Sequence, residues 1–206
     1  KRVLTSFGPR TGTIVLWSLE TGKPIKTYDG HHRPVYALAF SPNGKTFVSG
    51  SSDGDMNLWR VDKRTCRRTF PNRGRVMSVA FSPDGKQILS ASDNLVQVWN
   101  PKQHDSVDSI WGFWHKKTVY QVAFSPDGNA ALSASDDCTL RVWSLVTRAC
   151  IVVLRWRESL SRAVFSPDGR TIWSADASGT LQVWGESNGE HLSDSAVVDG
   201  PADTVP

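Results

Sequence analysis

The chain has 206 residues and a formal net charge of +4, with 39% hydrophobic and 21% charged residues, 16 glycines and 11 prolines. That length can bury a large core, as one domain or as an array of small units, and the composition excludes a disordered or low-complexity chain. No apolar run reaches the roughly 18–20 residues of a membrane span, no start reads as a secretion signal, and so mild a positive excess argues for nucleic acid only where it is clustered.

In chain order, Arg2–Ser6 reads as the second strand of a first unit whose inner strand and preceding loop are missing. The next unit shows the full plan. Val35–Ser41 is nearly continuous apolar, as expected of an inner strand covered on both faces. Pro42-Asn43-Gly44 is a tight turn, in which Pro presets φ, Asn satisfies its own backbone and Gly takes a positive φ. Thr46–Ser51 is the second strand, Asp53-Gly54 the next turn, and Met56–Arg60 the third strand, with Met56 and Leu58 on one face and Asn57 and Trp59 on the other. A fourth strand through Arg67–Phe70 is polar, as an exposed edge should be.

The plan recurs. Phe40, Phe81, Phe124 and Phe165 precede the turn at gaps of 41, 43 and 41 residues, and Trp17, Trp59, Trp99, Trp143 and Trp184 close the third strands at gaps of 42, 40, 44 and 41. A period of roughly 40–45 residues with four short strands per unit predicts an all-β propeller of about five four-stranded antiparallel blades. The blades fall at residues 1–28, 29–70, 71–111, 112–154 and 155–197 of a single segment, 1–197. After Trp184, a turn at Ser187-Asn188-Gly189 leads into an outer strand near His191–Val197, and 198–206 is a polar, flexible tail. Cys66, Cys138 and Cys150 lack metal-site spacing and fall in strand-like segments, so they are expected as buried free thiols in a reducing compartment, inside the cell and in its cytoplasm.

On these residues the chain resembles the WD-repeat (WD40) β-propellers over roughly residues 1–190. Gly30-His31 before the first strand, FSPDG after it, Ser-x-Ser-x-Asp-Gly between second and third strands and the closing Trp carry the resemblance. The letters also depart from it: Trp114-His115 replaces Gly-His in the fourth unit, Asn72 and Trp156 hold the His position elsewhere, and no closing Trp is followed by Asp. The resemblance implies a buried hydrogen-bonded chain of His31, Ser49, Asp53 and Trp59 in one blade and of His115, Ser133, Asp137 and Trp143 in another. The other blades read as incomplete: Asp93 and Trp99 lack the His, Ser178 stands where an Asp would precede Trp184, and Trp17 follows Thr11. Ser, His and Asp together also suggest a hydrolase triad, but a Trp in the same chain and the lack of any implied oxyanion donor favour a structural role.

Such propellers most often close with seven blades, so about five imply either part of a larger propeller of six to eight blades or an open arc whose terminal blades self-associate. The implied function is a non-catalytic scaffold that binds one or more proteins or peptides, with no cofactor, no metal and no membrane. Two alternatives stand beside it: polyanion or nucleic-acid binding through basic and aromatic loops, and a regulatory domain fused to an enzyme such as a kinase or nucleotide-binding switch. No Gly-rich phosphate loop, metal-spaced His/Cys cluster or paired carboxylate outside the turns supports catalysis. The candidate partner-binding residues are Trp111, Trp114, Lys116 and Lys117 in one expected loop and Arg155, Trp156 and Arg157 in its neighbour. The six basic residues between Lys63 and Arg75 are expected along a blade's rim rather than as a focused phosphate stripe.

Overall fold

Alternating apolar positions and regularly spaced turns leave the backbone one economical solution, a series of antiparallel meanders. The computed structural model describes residues 1–7, 12–102 and 111–185, which form five such sheets. The first contains β1 (Arg2–Phe7), β2 (Gly12–Ser18) and β3 (Pro24–His31). The second contains β4 (Val35–Phe40), β5 (Thr46–Ser51), β6 (Asp55–Arg60) and β7 (Cys66–Pro71). The third contains β8 (Val76–Phe81), β9 (Ile88–Ser92), β10 (Leu95–Trp99) and β11 (Trp111–Trp114). The fourth contains β12 (Val119–Phe124), β13 (Ala130–Ser135), β14 (Thr139–Ser144) and β15 (Cys150–Arg155), and the fifth β16 (Leu160–Phe165), β17 (Thr171–Asp176) and β18 (Leu181–Gly185). Successive sheets pack through β1, β4, β8, β12 and β16, and among the described residues the array is not closed on itself. Thr11, the expected turn at 187–189, the strand at 191–197 and the tail at 198–206 lie outside the described residues.

The Ser-Pro-Asp/Asn-Gly turns do two jobs. In the second sheet Ser41 Oγ donates to Asn43 Oδ1 (2.9 Å) and accepts from Thr46 N–H (3.1 Å), while Asn43 Oδ1 accepts from Lys45 N–H (2.9 Å). Gly44 closes the turn at a φ of 63°. The second job joins sheets: a Cβ on Gly85 would stand 3.5 Å from Cδ of Pro42, and Gly128 and Gly169 meet Pro83 and Pro126 in the same way. Pro42, Pro83 and Pro126 therefore each pack on the glycine of the next turn.

Burial corrects one expectation. The strands enclosed on both faces are the middle ones, where β9 and β10 are buried throughout, whereas β4 is mostly half-buried with Tyr36 exposed. Middle strands of the inner sheets have a sheet against each face and a strand on each edge; a first strand such as β4 keeps one edge without a partner strand. The two faces of β6 serve different neighbours. Met56 and Leu58 pack with Val76 and Val79 of the third sheet, and Trp59 packs with Ile14 and Tyr28 of the first. An aromatic contact crosses the first three junctions, Tyr28 against Trp59, Phe70 against Trp99 and Phe113 stacked on Trp143 at 4.3 Å, and Trp156, in the connection between β15 and β16, stands against Trp184.

The cysteines are free and half-buried, not fully buried. Cys66 and Cys150 open β7 and β15, where burial pushes both thiols up. Cys138 sits in a turn at a φ of 62°, not in a strand.

Candidate functional site

The side chains expected to form hydrogen-bonded chains do meet. In the fourth sheet His115 Nδ1 lies 2.9 Å from Asp137 Oδ2, its Nε2 lies 2.7 Å from Ser133 Oγ, and Trp143 Nε1–H donates to the same oxygen at 2.8 Å. The second sheet repeats this with His31, Asp53, Ser49 and Trp59 at 2.9, 2.6 and 2.8 Å. Sequence reading marked the remaining sheets as incomplete, yet the indole-to-hydroxyl bond recurs in all of them: Trp17 to Thr5, Trp99 to Ser90 and Trp184 to Ser174, each 2.8 Å. Asn72 replaces the histidine by accepting from Ser90 Oγ at 2.7 Å. In the fifth sheet the acid is Asp176, two residues earlier than the expected position of Ser178, and it accepts from Trp156 Nε1–H at 2.9 Å. The signal available in the sequence was a hydroxyl residue 9 to 12 positions before each closing Trp.

These groups cannot act as a hydrolase. Ser133 and Ser49 are fully buried, and each hydroxyl is already shared between an imidazole and an indole, which leaves no approach for a carbonyl carbon. Burial would push Asp137 up, but the His115 imidazole, the Thr139 hydroxyl and the Lys116 backbone N–H bind the carboxylate and hold it well below the usual range. For His115 burial wins over the attraction of Asp137, and the imidazole titrates below its ordinary value. An unfolded chain therefore takes up a proton that the folded chain refuses as pH falls below about 6.5, so stability drops in that range. We expect the urea midpoint, followed by tryptophan fluorescence, to fall between about pH 7.5 and about pH 5, and to fall less in His115→Asn.

The candidate partner residues divide between the two ends of the sheets. Trp111–Trp114, expected in a loop, is the outer strand β11, with Val98 opposite Trp111 and Leu95 opposite Trp114. Trp111 is half-buried, stands edge-on to Phe113 at 4.9 Å, and has the Arg148 guanidinium 5.5 Å from its ring. Trp114 emerges at the opposite end of the strand, 51% exposed, with Arg73 5.8 Å from its ring. Lys116 and Lys117 are exposed at that same end, Lys117 within 3.8 Å of Asp136. Arg155 and Arg157 are exposed too, but Trp156 between them is half-buried, its indole bound to Asp176 and its ring 5.2 Å from Arg157.

Sequence reading missed a feature of this end. The first strands of the second to fifth sheets each carry a register shift at the same place, leaving Tyr36, Met77, Tyr120 and Ser161 as extra residues. Such bulges re-aim side chains, and here they lie at the end that carries His32, Arg73, Trp114 and Lys116. The basic segment from Lys63 to Arg75 is spread as expected: Arg68 covers Phe70 at 4.9 Å, Arg73 approaches Trp114, and Lys63 and Arg64 lie at the far end of β7.

The family model described as WD domain, G-beta repeat, matches residues 22–60, 64–100 and 108–144. The chain is 34% identical over 89 residues to the periodic tryptophan protein 2 homolog of Neurospora crassa, which is 42% of this chain and 10% of that protein. It is 44% identical over 54 residues to protein ROOT INITIATION DEFECTIVE 3 of Arabidopsis thaliana, 26% of this chain and 12% of that one. It is 41% identical over 80 residues to the human ribosome biogenesis protein BOP1, 38% of this chain and 11% of that one. The matched stretches thus span about a tenth of the length of these relatives.

Proposed function

The chain belongs to the WD40 family, and from that premise we propose that it is a non-catalytic platform on which protein partners assemble. The observation that carries this reading is the end of the sheets bearing Trp114. There a large aromatic is half exposed beneath an arginine, with Lys116, Lys117, Arg155 and Arg157 exposed at the same end of the sheets, and it takes no part in the buried hydrogen-bonded chains. Aromatic and arginine side chains together are the anchors that dominate protein interfaces. Trp156 supports that end by packing, and Trp111 lies at the opposite end of β11, outside this surface.

The relatives lend support, being named for ribosome biogenesis, for a THO complex and for association with a kinase receptor. An intracellular setting, cytoplasmic or nuclear, belongs to the same reading. A second surface for assembly lies on the terminal sheets, where Trp173, Val183 and Leu181 of the fifth and Val3 of the first are exposed. Inner sheets bury such faces against a neighbour, so self-association through them completes the proposal.

A crosslinking amino acid placed at Arg73 should capture a partner from extracts of the source cells, and the same group at Leu19, at the opposite end, should not. Trp114→Ala with Lys116→Glu should reduce capture by roughly tenfold with the melting temperature unchanged. Undiminished capture would remove this end as the binding surface.

A further inference from the structure

A cleft of about 680 Å³ opens between the first and second sheets, at the end opposite Trp114. Its position follows from the chain: Gly44, Lys45 and Thr46 at the start of β5 line it, whereas Asp53, beyond the other end of β5, belongs to the Trp114 end. The floor is aliphatic, made by Leu16, Ile25 and Val61, with Ile25 49% exposed. The rim is cationic. Arg2, Lys26, Lys45, Arg60 and Arg67 surround it, against the single carboxylate of Asp62. Five cations against one carboxylate give the cleft a local excess of four positive charges.

Among the described residues only one of the five cations is paired with a carboxylate. Arg60 grips Asp62 through Nε at 2.9 Å and Nη2 at 2.6 Å. Arg2 donates to the carbonyl of Gly44, and Lys26 to that of Val61, which also accepts from the Tyr28 hydroxyl. Among the described residues no carboxylate pairs with Arg2, Lys26, Lys45 or Arg67. Two of them are thus held in place by backbone carbonyls while keeping their charge available, and Lys45 and Arg67 reach out from the rim.

We infer that this cleft binds an acidic, extended peptide segment of a partner protein, with an aliphatic side chain seated on Leu16, Ile25 and Val61 and carboxylates on Lys45 and Arg67. Three features choose a peptide over other anions. An aliphatic floor adds nothing to the binding of a free phosphate. No aromatic side chain lines the cleft to stack a base, as single-stranded nucleic acid would require. Moreover β3, which supplies Ile25 and Lys26, is the outermost strand of its sheet, and an open edge of this kind accepts an extended chain. The volume lies in the ordinary range of ligand clefts, roughly 300–1,000 Å³. This site is independent of the Trp114 end and stands or falls separately.

The test uses the full chain and a fluorescein-labelled peptide of glutamate pairs separated by single leucines, with binding read by anisotropy. Saturable binding is expected, weakened roughly tenfold by Lys45→Glu with Arg67→Glu and left within about twofold by Arg155→Glu with Arg157→Glu at the other end. Replacing the leucines of the probe by serine, or its glutamates by glutamine, should each weaken binding by roughly fivefold or more. Should the paired glutamate variant lose its native tryptophan emission, Lys45→Gln with Arg67→Gln replaces it, since both side chains are exposed. Equal binding by the serine peptide would reduce the site to general polyanion attraction and overturn the proposal. So would tighter binding of oligothymidylate with the same dependence on Lys45 and Arg67, or an unchanged affinity in the cleft variants.

Discussion

Ser133→Ala should destabilise the fold by about 3 kcal/mol, far more than the loss of one surface hydroxyl. The hydroxyl has two partners on opposite sides. With His115 neutral and its Nδ1–H given to Asp137, Nε2 accepts the serine proton, while the serine oxygen accepts the Trp143 indole proton. Alanine removes both bonds and leaves an indole N–H and an imidazole nitrogen buried without partners, which is the costly case. Thr5 bonds Trp17 in the first sheet just as Ser133 bonds Trp143. Ser133→Thr should therefore keep the bond and cost about 1 kcal/mol, for crowding by one methyl. Urea unfolding followed by tryptophan emission measures both variants; an alanine variant within about 0.5 kcal/mol of the parent would show that the chain of bonds contributes little to stability.

The turns and closing tryptophans were legible in the sequence because their chemistry is local. Pro, Asn or Asp, and Gly carry their own backbone preferences, and an indole that recurs every 40–44 residues marks one strand wherever it falls. Trp111–Trp114 was misread as a loop for a related reason. The residue opposite Trp111 is Val98, 13 positions earlier, whereas Leu58 lies opposite Arg68, only 10 positions on. A connection of variable length hides where an outer strand begins, and four residues give too little alternation to reveal one.

Position along the chain also misled in the fifth sheet. Family spacing pointed to Ser178, but the acid is Asp176 at the end of β17, and Trp156, larger than the histidine it replaces, extends its N–H to meet it there. Side-chain length compensates for register, a trade that spacing alone cannot display. The basic cleft was less legible still, since its cations come from positions 2, 26, 45, 60 and 67 on two sheets, and only their packing brings them together.

The largest single effect is expected from Trp59→Ala, about 4 kcal/mol, because this side chain holds two sheets as well as one. Its ring is fully buried, stacks on Phe47 of its own sheet at 5.9 Å with planes 11° apart, and meets Tyr28 of the first sheet edge-on at the same distance. Its far edge also fills the space beside Gly30, where even a Cβ would stand 2.8 Å from the ring. Truncation leaves a void between the first and second sheets that Phe47 and Tyr28, both fully buried, cannot collapse to fill. Hydrogen exchange should then show the first sheet opening before the others, with amides of β2 and β3 losing protection while those of β13 and β14 keep theirs. Since Leu16, Ile25 and Lys26 belong to that sheet, the acidic peptide should lose its site in Trp59→Ala even though no cleft residue has been changed. Uniform loss of protection across all five sheets would mean that the array unfolds as one unit and that Trp59 holds no special junction.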